Sequence, residues 1–155
     1  MKFITDINLG KLAKWLRILG YNTVFYTQNA NREFLRKAEK EERIVLTRKK
    51  DVAERQFSGC LVVVNSDHVK DQLHEVMDKL SFLPDADRMF TICVKCNKAL
   101  MEVDRQEISG MVPDYVFTSN YEFHVCPCCK GVFWPGTHRD NVLNYLRTHI
   151  QRHHL

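Results

Sequence analysis

The chain has 155 residues, of which 45% are hydrophobic and 27% are charged, with a formal net charge of +4. That length suits one domain, or one domain with a small insert, and the composition excludes intrinsic disorder, collagen and a coiled coil. Its apolar runs are shorter than the roughly 18–20 residues of a membrane span, and its charged start is unlike a secretory signal, so we expect an intracellular, cytoplasmic protein.

The first 80 residues alternate short apolar runs with helical repeats. Strands are predicted at 3–5, 23–26, 44–47 and 60–64, the last with Cys60 as a small core residue. Helices are predicted at about 9–19 before Gly20, at about 31–42 with Asn31 as the cap, and up to Leu80 from a cap at Ser66 or Asp67. Short, uniformly apolar strands between helices predict an α/β fold with a mostly parallel sheet buried on both faces.

Ligands of such sheets bind beyond the carboxyl ends of the strands. The polar residues that follow the predicted strands are Asp6, Gln28, Asn29, residues 48–51, Asn65 and Asp67. The Gly-rich loop of a nucleotide-binding fold is missing after every predicted strand. We therefore expect chemistry other than dinucleotide or P-loop binding at this end of the sheet.

The pattern changes near residue 85. Between about 88 and 138 helical periodicity disappears, and cysteines, turns and β-like runs replace it. Helical spacing returns from 139 to 155. We expect an α/β domain over 1–88, a small β insert over 89–138 and a closing helix over 139–155 that packs back on the domain.

Two Cys-x-x-Cys pairs lie within the insert, at Cys93 and Cys96 and at Cys126 and Cys129. Tetrahedral zinc takes four thiolate or imidazole ligands, and each pair supplies two from one tight turn. Disulfides and a redox pair are the alternatives, which an intracellular chain with two such turns disfavours. Cys128 is then a spare thiol, although it could replace Cys126 in a strained register. His124 and His138 could substitute for a ligand, but four cysteines are already available and other roles are favoured for both. With all four positions filled by protein, the zinc is structural.

The positive charge is concentrated in the first third of the chain. Residues 1–50 contain 12 Lys or Arg against 5 Asp or Glu, whereas residues 51–87 contain 3 against 8. Two groups of basic residues predict a polyanion-binding face. Lys11, Lys14 and Arg17 lie three residues apart on the first helix, and Arg48, Lys49 and Lys50 follow the third strand. A solvated helix face explains the first group equally well.

Aromatic and acidic residues suggest two further roles. Trp134 and His138 offer stacking surfaces for unpaired bases, although a core role for Trp134 beside the zinc is as reasonable. Asp6 and Asp51 each follow a strand, and carboxylates so placed can hold Mg²⁺ or Mn²⁺ for attack on a phosphodiester. Asp6 could also be a turn residue or a cap of the helix that begins near Leu9, and Asp67 fits a helix cap better than a metal ligand.

Several segments resemble the Mut-seven C-terminal domain family, in family order over nearly the whole chain. They are residues 2–6, 9–17, 19–21 and 43–48, Cys93-x-x-Cys96-Asn97, and Cys126-Pro-x-Cys129 followed by residues 134–138. The resemblance implies a PIN-like α/β fold carrying a zinc ribbon. The family is found as small stand-alone proteins and as the tail of animal 3′–5′ exoribonucleases, and its name implies a ribonuclease by analogy with PIN-domain nucleases.

One position departs from the family pattern. The third strand is typically followed by Leu-Thr-Arg-Asp-x-Asp, and here Lys49 replaces the first acid. Because a lysine opposes cation binding, we favour a domain that holds single-stranded RNA on the basic face and supports a linked or partnered 3′–5′ exoribonuclease. The alternatives are a Mg²⁺- or Mn²⁺-dependent endoribonuclease using Asp6 and Asp51, and a protein-interaction module of a ribonuclease complex.

Overall fold

The computed structural model describes residues 1–150 and contains two units, residues 1–97 and the residues from 98 onward. Strands and helices alternate in the first unit. Its elements are β1 (Phe3–Thr5), α1 (Gly10–Ile18), β2 (Thr23–Phe25), α2 (Arg32–Lys40), β3 (Ile44–Thr47), α3 (Lys50–Ala53), β4 (Leu61–Val63) and α4 (Val69–Leu80). A 3-10 turn over Ile7–Leu9 joins β1 to α1.

The four strands form one parallel sheet in the order β2-β1-β3-β4. The predicted α/β fold with a parallel sheet flanked by helices is therefore confirmed. One face carries a core in which Ile4 and Val45 pack with Phe34 and Leu35 of α2 and Val52 of α3. Because all four strands run the same way, the residues that follow them share one end of the sheet, the carboxyl end, and those that precede them share the amino end.

Local signals place the predicted helices. The Asn31 side chain accepts hydrogen bonds from the backbone N–H groups of Glu33 and Phe34, as an N-cap does. Gly20 ends the first helical segment with φ +81°, and a Cβ at this position would lie 2.0 Å from the carbonyl oxygen of Arg88. This turn therefore requires glycine for its conformation and for its close backbone contact.

The second unit contains an antiparallel sheet and two helices. Its elements are β5 (Met101–Val103), α5 (Asp114–Ser119), β6 (Phe123–Val125), β7 (Val132–Phe133) and α6 (Thr137–His149), with strand order β5-β6-β7. Ile108, Val112, Val116 and Phe123 form its core. The C-terminal helix is confirmed, and the part of that prediction over residues 151–155 lies outside the described residues.

Three element-level predictions were wrong. Cys60 is exposed because β4 begins one residue later. Asp67 and Ser66 are not the cap of α4; the cap residue is His68, and the side chain of Asp67 accepts from Arg48 instead. The insert contains a helix, α5, which periodicity missed because six residues offer little more than one repeat of an apolar pattern.

Candidate metal centre and the polar ends of the sheet

The first Cys-x-x-Cys pair forms a tight turn, the first knuckle (residues 93–97). The backbone N–H of Asn97 donates to the carbonyl oxygen of Cys93 at 2.9 Å, and the N–H of Cys96 lies 3.5 Å from the Cys93 sulfur. Asn97 adopts φ +57°, a left-handed conformation that asparagine tolerates better than most residues. The chain thus reverses directly after the second cysteine, as the predicted turn requires.

The second pair repeats this geometry in the second knuckle (residues 126–131), between β6 and β7. The N–H of Lys130 donates to the carbonyl oxygen of Cys126 at 3.0 Å, and the N–H of Cys126 donates to the carbonyl oxygen of Gly131 at 3.0 Å. Lys130 takes the left-handed position with φ +61°. Both knuckles therefore have the same local construction.

The sulfur atoms of Cys93, Cys96, Cys126 and Cys129 all lie within 4.8 Å of one another. Tetrahedral zinc with sulfur ligands at about 2.3 Å places those sulfurs about 3.8 Å apart, so the group fits such an ion. Cys128 is exposed and is not one of this group. The four cysteines can hold a metal such as zinc, and among residues 1–150 they are the one group of three or more potential ligands so close together.

Arg17 does not lie on an exposed face, and that prediction was wrong. Only 8% of the residue is exposed. Its Nε donates to the carbonyl oxygen of Thr23 at 2.9 Å, and its Nη1 donates to the carbonyl oxygens of Val94 and Lys95 at 2.7 and 3.3 Å. Burial lowers the pKa of the Arg17 guanidinium, while the thiols of Cys93 and Cys96 raise it. Helical spacing on α1 could not reveal a partner some 80 residues away in the sequence.

Asp6 follows β1 at the carboxyl end of the sheet and is completely buried. Its Oδ1 accepts from the N–H of Asn8 at 2.8 Å, as the cap of the 3-10 turn. Its Oδ2 accepts from the Thr47 hydroxyl at 2.6 Å and from the N–H of Arg48 at 2.9 Å. Both oxygens are thus occupied by protein donors, and the carboxylate ties the end of β1 to the end of β3.

The basic cluster after β3 reaches the loops on both sides of it. The Lys49 ammonium donates to Asn29 Oδ1 at 2.9 Å, beyond the end of β2. Arg48 Nη2 pairs with Asp67 Oδ1 at 2.6 Å, beyond the end of β4. This bond lowers the pKa of the exposed Asp67 carboxyl. The prediction that strand ends bring these polar residues to one end of the sheet is confirmed by these contacts.

The remaining predicted site residues are exposed. On the sheet unit these are Lys11 and Lys14 of α1 and Lys50 of α3. Asp51 is also exposed and lies 3.5 Å from Arg55 one helical turn later. In the second unit, His138 is exposed and Trp134 is 37% exposed, so Trp134 is not a fully buried core residue.

A family model described as the Mut7-C RNAse domain matches residues 1–146 of the chain. The chain belongs to this family. The match covers the parallel sheet, both knuckles and most of α6. No curated protein and no solved structure matches the chain. Family membership indicates an RNA-related function, and the resemblance stated from the motifs is confirmed.

The Mut7-C domain holds the loop after β4 with a residue that the sequence did not single out. Glu75 of α4 accepts from the N–H and side-chain amide of Asn65, from the N–H and hydroxyl of Ser66, and from the ammonium of Lys79, at 2.7–3.1 Å. Burial raises the pKa of Glu75, but these hydrogen bonds outweigh it and lower the pKa to about 2. In the sequence, Glu75 is indistinguishable from any polar residue on a helix.

Each helix within residues 1–150 of this Mut7-C domain is too short or too polar for a membrane span.

Proposed function

We propose that this Mut7-C domain binds single-stranded RNA on a basic face and supports a linked or partnered 3′–5′ exoribonuclease. Family membership supports an RNA ligand. The observation that favours binding over cleavage is the state of Asp6, whose buried carboxylate has both oxygens occupied by protein donors. Lys49 and Lys50, which attract phosphate and repel divalent cations, follow the neighbouring strand β3.

The proposed face consists of Lys11 and Lys14 on α1 with residues 48–50 at the carboxyl end of the sheet. α1 begins at that end, and its first turn contains no acidic residue. A cation in the first turn opposes the helix dipole at a cost of about 0.3–1 kcal/mol, which a bound phosphate would offset. The charge and the position of Lys11 are therefore consistent with an anionic ligand.

Arg48 and Lys49 are also able to take part. The ion pair of Arg48 with Asp67 is exposed on the carboxylate side, where 81% of the Asp67 side chain is accessible. Exposed pairs of this kind contribute little to stability, so a phosphate can replace the carboxylate at small cost. Lys49 donates to the neutral side-chain amide of Asn29, and this bond leaves the positive charge of Lys49 uncompensated.

Trp134 and His138 are proposed as stacking surfaces for unpaired bases. Base stacking on an aromatic side chain contributes about 1–3 kcal/mol and tolerates any base. The partial exposure of the Trp134 ring supports this role. We expect Trp134→Ala to weaken RNA binding without changing its salt dependence, because stacking releases no counterions.

The four-cysteine group is proposed to bind one zinc ion through Cys93, Cys96, Cys126 and Cys129. With four protein ligands the ion has no open position for water or substrate, so its role is to stabilise the fold. The two matched knuckles and the proximity of the four sulfurs support this proposal.

A metal-dependent ribonuclease is the second candidate, and the description of the family as an RNAse domain favours it. It requires Asp6 and Asp51 to hold Mg²⁺ or Mn²⁺ that activates water. Asp6 would have to exchange a protein donor for the ion, and the Lys49 ammonium would oppose the ion's charge. In that case Lys49→Asp raises cleavage and Asp6→Asn abolishes it.

A titration of labelled single-stranded RNA in Ca²⁺ and again in Mn²⁺ separates these candidates. Ca²⁺ serves as the control ion. A chelator such as EDTA is unsuitable as the control because it would also remove zinc from the cysteines. Intact RNA bound equally in both ions supports the binding proposal. Manganese-dependent loss of full-length RNA supports the nuclease, and no binding in either ion supports a protein-interaction module instead.

Charge reversal tests the assigned face. We expect Lys11→Glu combined with Lys14→Glu to weaken binding at least about tenfold and to lower the slope of affinity against salt by about 2. The matched control is Lys2→Glu with Lys40→Glu, which makes the same change in net charge at exposed sites near the amino end of the sheet. Equal losses for the two pairs would mean that binding follows net charge and not this face.

A further inference from the structure

The buried guanidinium of Arg17 joins the first knuckle to the sheet. It donates on one side to the carbonyl oxygen of Thr23, the first residue of β2. On the other side it donates to Val94 and Lys95, the two residues between the cysteines of the knuckle. Arginine presents several donors in a fixed plane, so one side chain can fix the position of both segments.

Asn97 forms a second link between the same two segments. Its Oδ1 accepts from the N–H of Thr23 at 2.7 Å, and its Nδ2 donates to Asn22 Oδ1 at 3.0 Å. Its own N–H closes the knuckle on Cys93. One residue therefore ends the metal-binding turn and bonds the strand that Arg17 also bonds.

The network continues into the centre of the sheet through Arg43. Its Nη1 donates to Asn22 Oδ1 at 2.6 Å and to the carbonyl oxygen of Phe3, the first residue of β1, at 3.1 Å. Phe3 and Thr23 are paired in the sheet. The first knuckle is thus bonded to the amino end of the sheet at its two neighbouring strands β1 and β2.

Charge gives Arg17 a second role. Four thiolates around a divalent ion leave a net charge of about −2, and burying such a charge is costly unless cations or donors compensate it. Arg17 is a buried cation that bonds the two residues between Cys93 and Cys96. Its own burial is in turn compensated by carbonyl oxygens and by the thiolates.

We infer that Arg17 and Asn97 are positioning residues of the metal centre: they hold the first knuckle on the amino end of the sheet, and Arg17 offsets the thiolate charge. Metal binding and the stability of residues 1–97 are therefore coupled. This inference rests on the proposed zinc site. It also removes Arg17 from the RNA-binding face.

Zinc affinity of the full chain is the first test, measured by competition with a chromophoric chelator. We expect Arg17→Met to weaken zinc binding about 10- to 100-fold, as substitutions around metal ligands do. Arg17→Lys, which keeps the charge but loses the planar donors, should recover part of the loss. Arg36→Met, which makes the same substitution at an exposed arginine of α2, is the matched control and should leave affinity unchanged.

Cobalt absorption tests whether the site keeps its four ligands. Arg17→Met should bind Co²⁺ more weakly than the native chain while its d–d bands stay those of a tetrahedral thiolate site, because the four cysteines are unchanged. Zinc and Co²⁺ affinities within twofold of the native chain would overturn the inference. A native chain that takes up no zinc would overturn the zinc site as well, which distinguishes the two failures.

If Arg17→Met does not fold, Asn97→Gly replaces it. Glycine keeps the left-handed backbone and the bond to Cys93 but loses the bonds to Thr23 and Asn22. Weaker zinc binding supports the inference, and affinity within twofold of the native chain refutes it.

Amide hydrogen exchange tests the coupling. We expect zinc removal to expose the N–H of Thr23, which donates to Asn97 at 2.7 Å. The N–H of Val64, which donates to Thr47 at the carboxyl end at 2.8 Å, is the internal comparison. Loss of protection at Thr23, alone or together with Val64, supports coupling, and unchanged protection at Thr23 refutes it.

Discussion

Glu75→Gln tests whether the loop after β4 is held by one carboxylate. The pKa of Glu75 is lowered from 4.5 to about 2. At about 1.4 kcal/mol for each tenfold change in the ionisation constant, the difference corresponds to an upper limit of about 3.5 kcal/mol of folding free energy at pH 7. Because 14% of the side chain is accessible, solvent screens part of this, and we expect a loss of about 2 kcal/mol.

The sign of the pH dependence follows from the lowered pKa. The stabilisation is complete above the unfolded pKa of 4.5 and is lost as pH falls toward the folded pKa of about 2. The difference between the native chain and Glu75→Gln should therefore decrease by more than half between pH 7 and pH 3. Release of a metal ion from the cysteines at low pH would affect both chains equally. Its effect therefore cancels in the stability difference between the two chains at each pH.

Urea denaturation at several pH values measures this difference. Asp71→Asn, which alters an exposed acid on the same helix, is the control and should change stability by less than about 0.5 kcal/mol. A Glu75→Gln effect that is as small as the control, or that stays constant from pH 7 to pH 3, would refute the assignment of Glu75 as the anchor of Asn65 and Ser66.

Three further predictions concern stability and are checked by thermal or urea unfolding. Gly20→Ala should cost more than about 2 kcal/mol, because alanine disfavours the positive φ and its Cβ would meet the Arg88 carbonyl; a loss near that of an ordinary helix-end substitution would contradict this. Asn31→Ala should cost about 1 kcal/mol through the lost cap, and Asn31→Asp should not. Asp6→Asn should cost about 1–3 kcal/mol with or without Mn²⁺, since the amide nitrogen would face the N–H of Asn8 in one orientation and that of Arg48 in the other. Destabilisation only in Mn²⁺ would indicate a metal ligand.

Much of the fold was predictable because its signals are local. Alternating apolar runs and helical repeats give the parallel sheet, the Asn31 cap gives the start of α2, and the two cysteine pairs give the metal group. Helix α5 was missed because it is shorter than the window in which periodicity becomes visible.

The side-chain environments were not predictable, since they depend on contacts between distant residues. Arg17 follows Lys14 at the spacing of a solvent face, yet it is buried and bonds the carbonyl oxygens of Val94 and Lys95. Asp6 has the position of a metal ligand, yet its oxygens are occupied by the end of β3. For both residues the predicted position in the fold was correct. The predicted role was not, because hydrogen bonds to distant residues decide what each side chain can do.

The two ends of the sheet carry different chemistry. Arg17 and Asn97 bond the first knuckle to Thr23, which lies level with Phe3 at the amino end, whereas Asp6 follows β1 at the carboxyl end. Asp6 lies three residues after Phe3 along the chain, a rise of about 10 Å. A metal ion held by the cysteines therefore could not serve as the ion of a carboxylate site at Asp6. If this domain cleaves RNA, replacing zinc by cobalt should leave the rate unchanged, and the rate should depend on a second ion added as Mg²⁺ or Mn²⁺; cleavage by a zinc-loaded chain in the absence of that second ion would show that the acids at the carboxyl end are not the site.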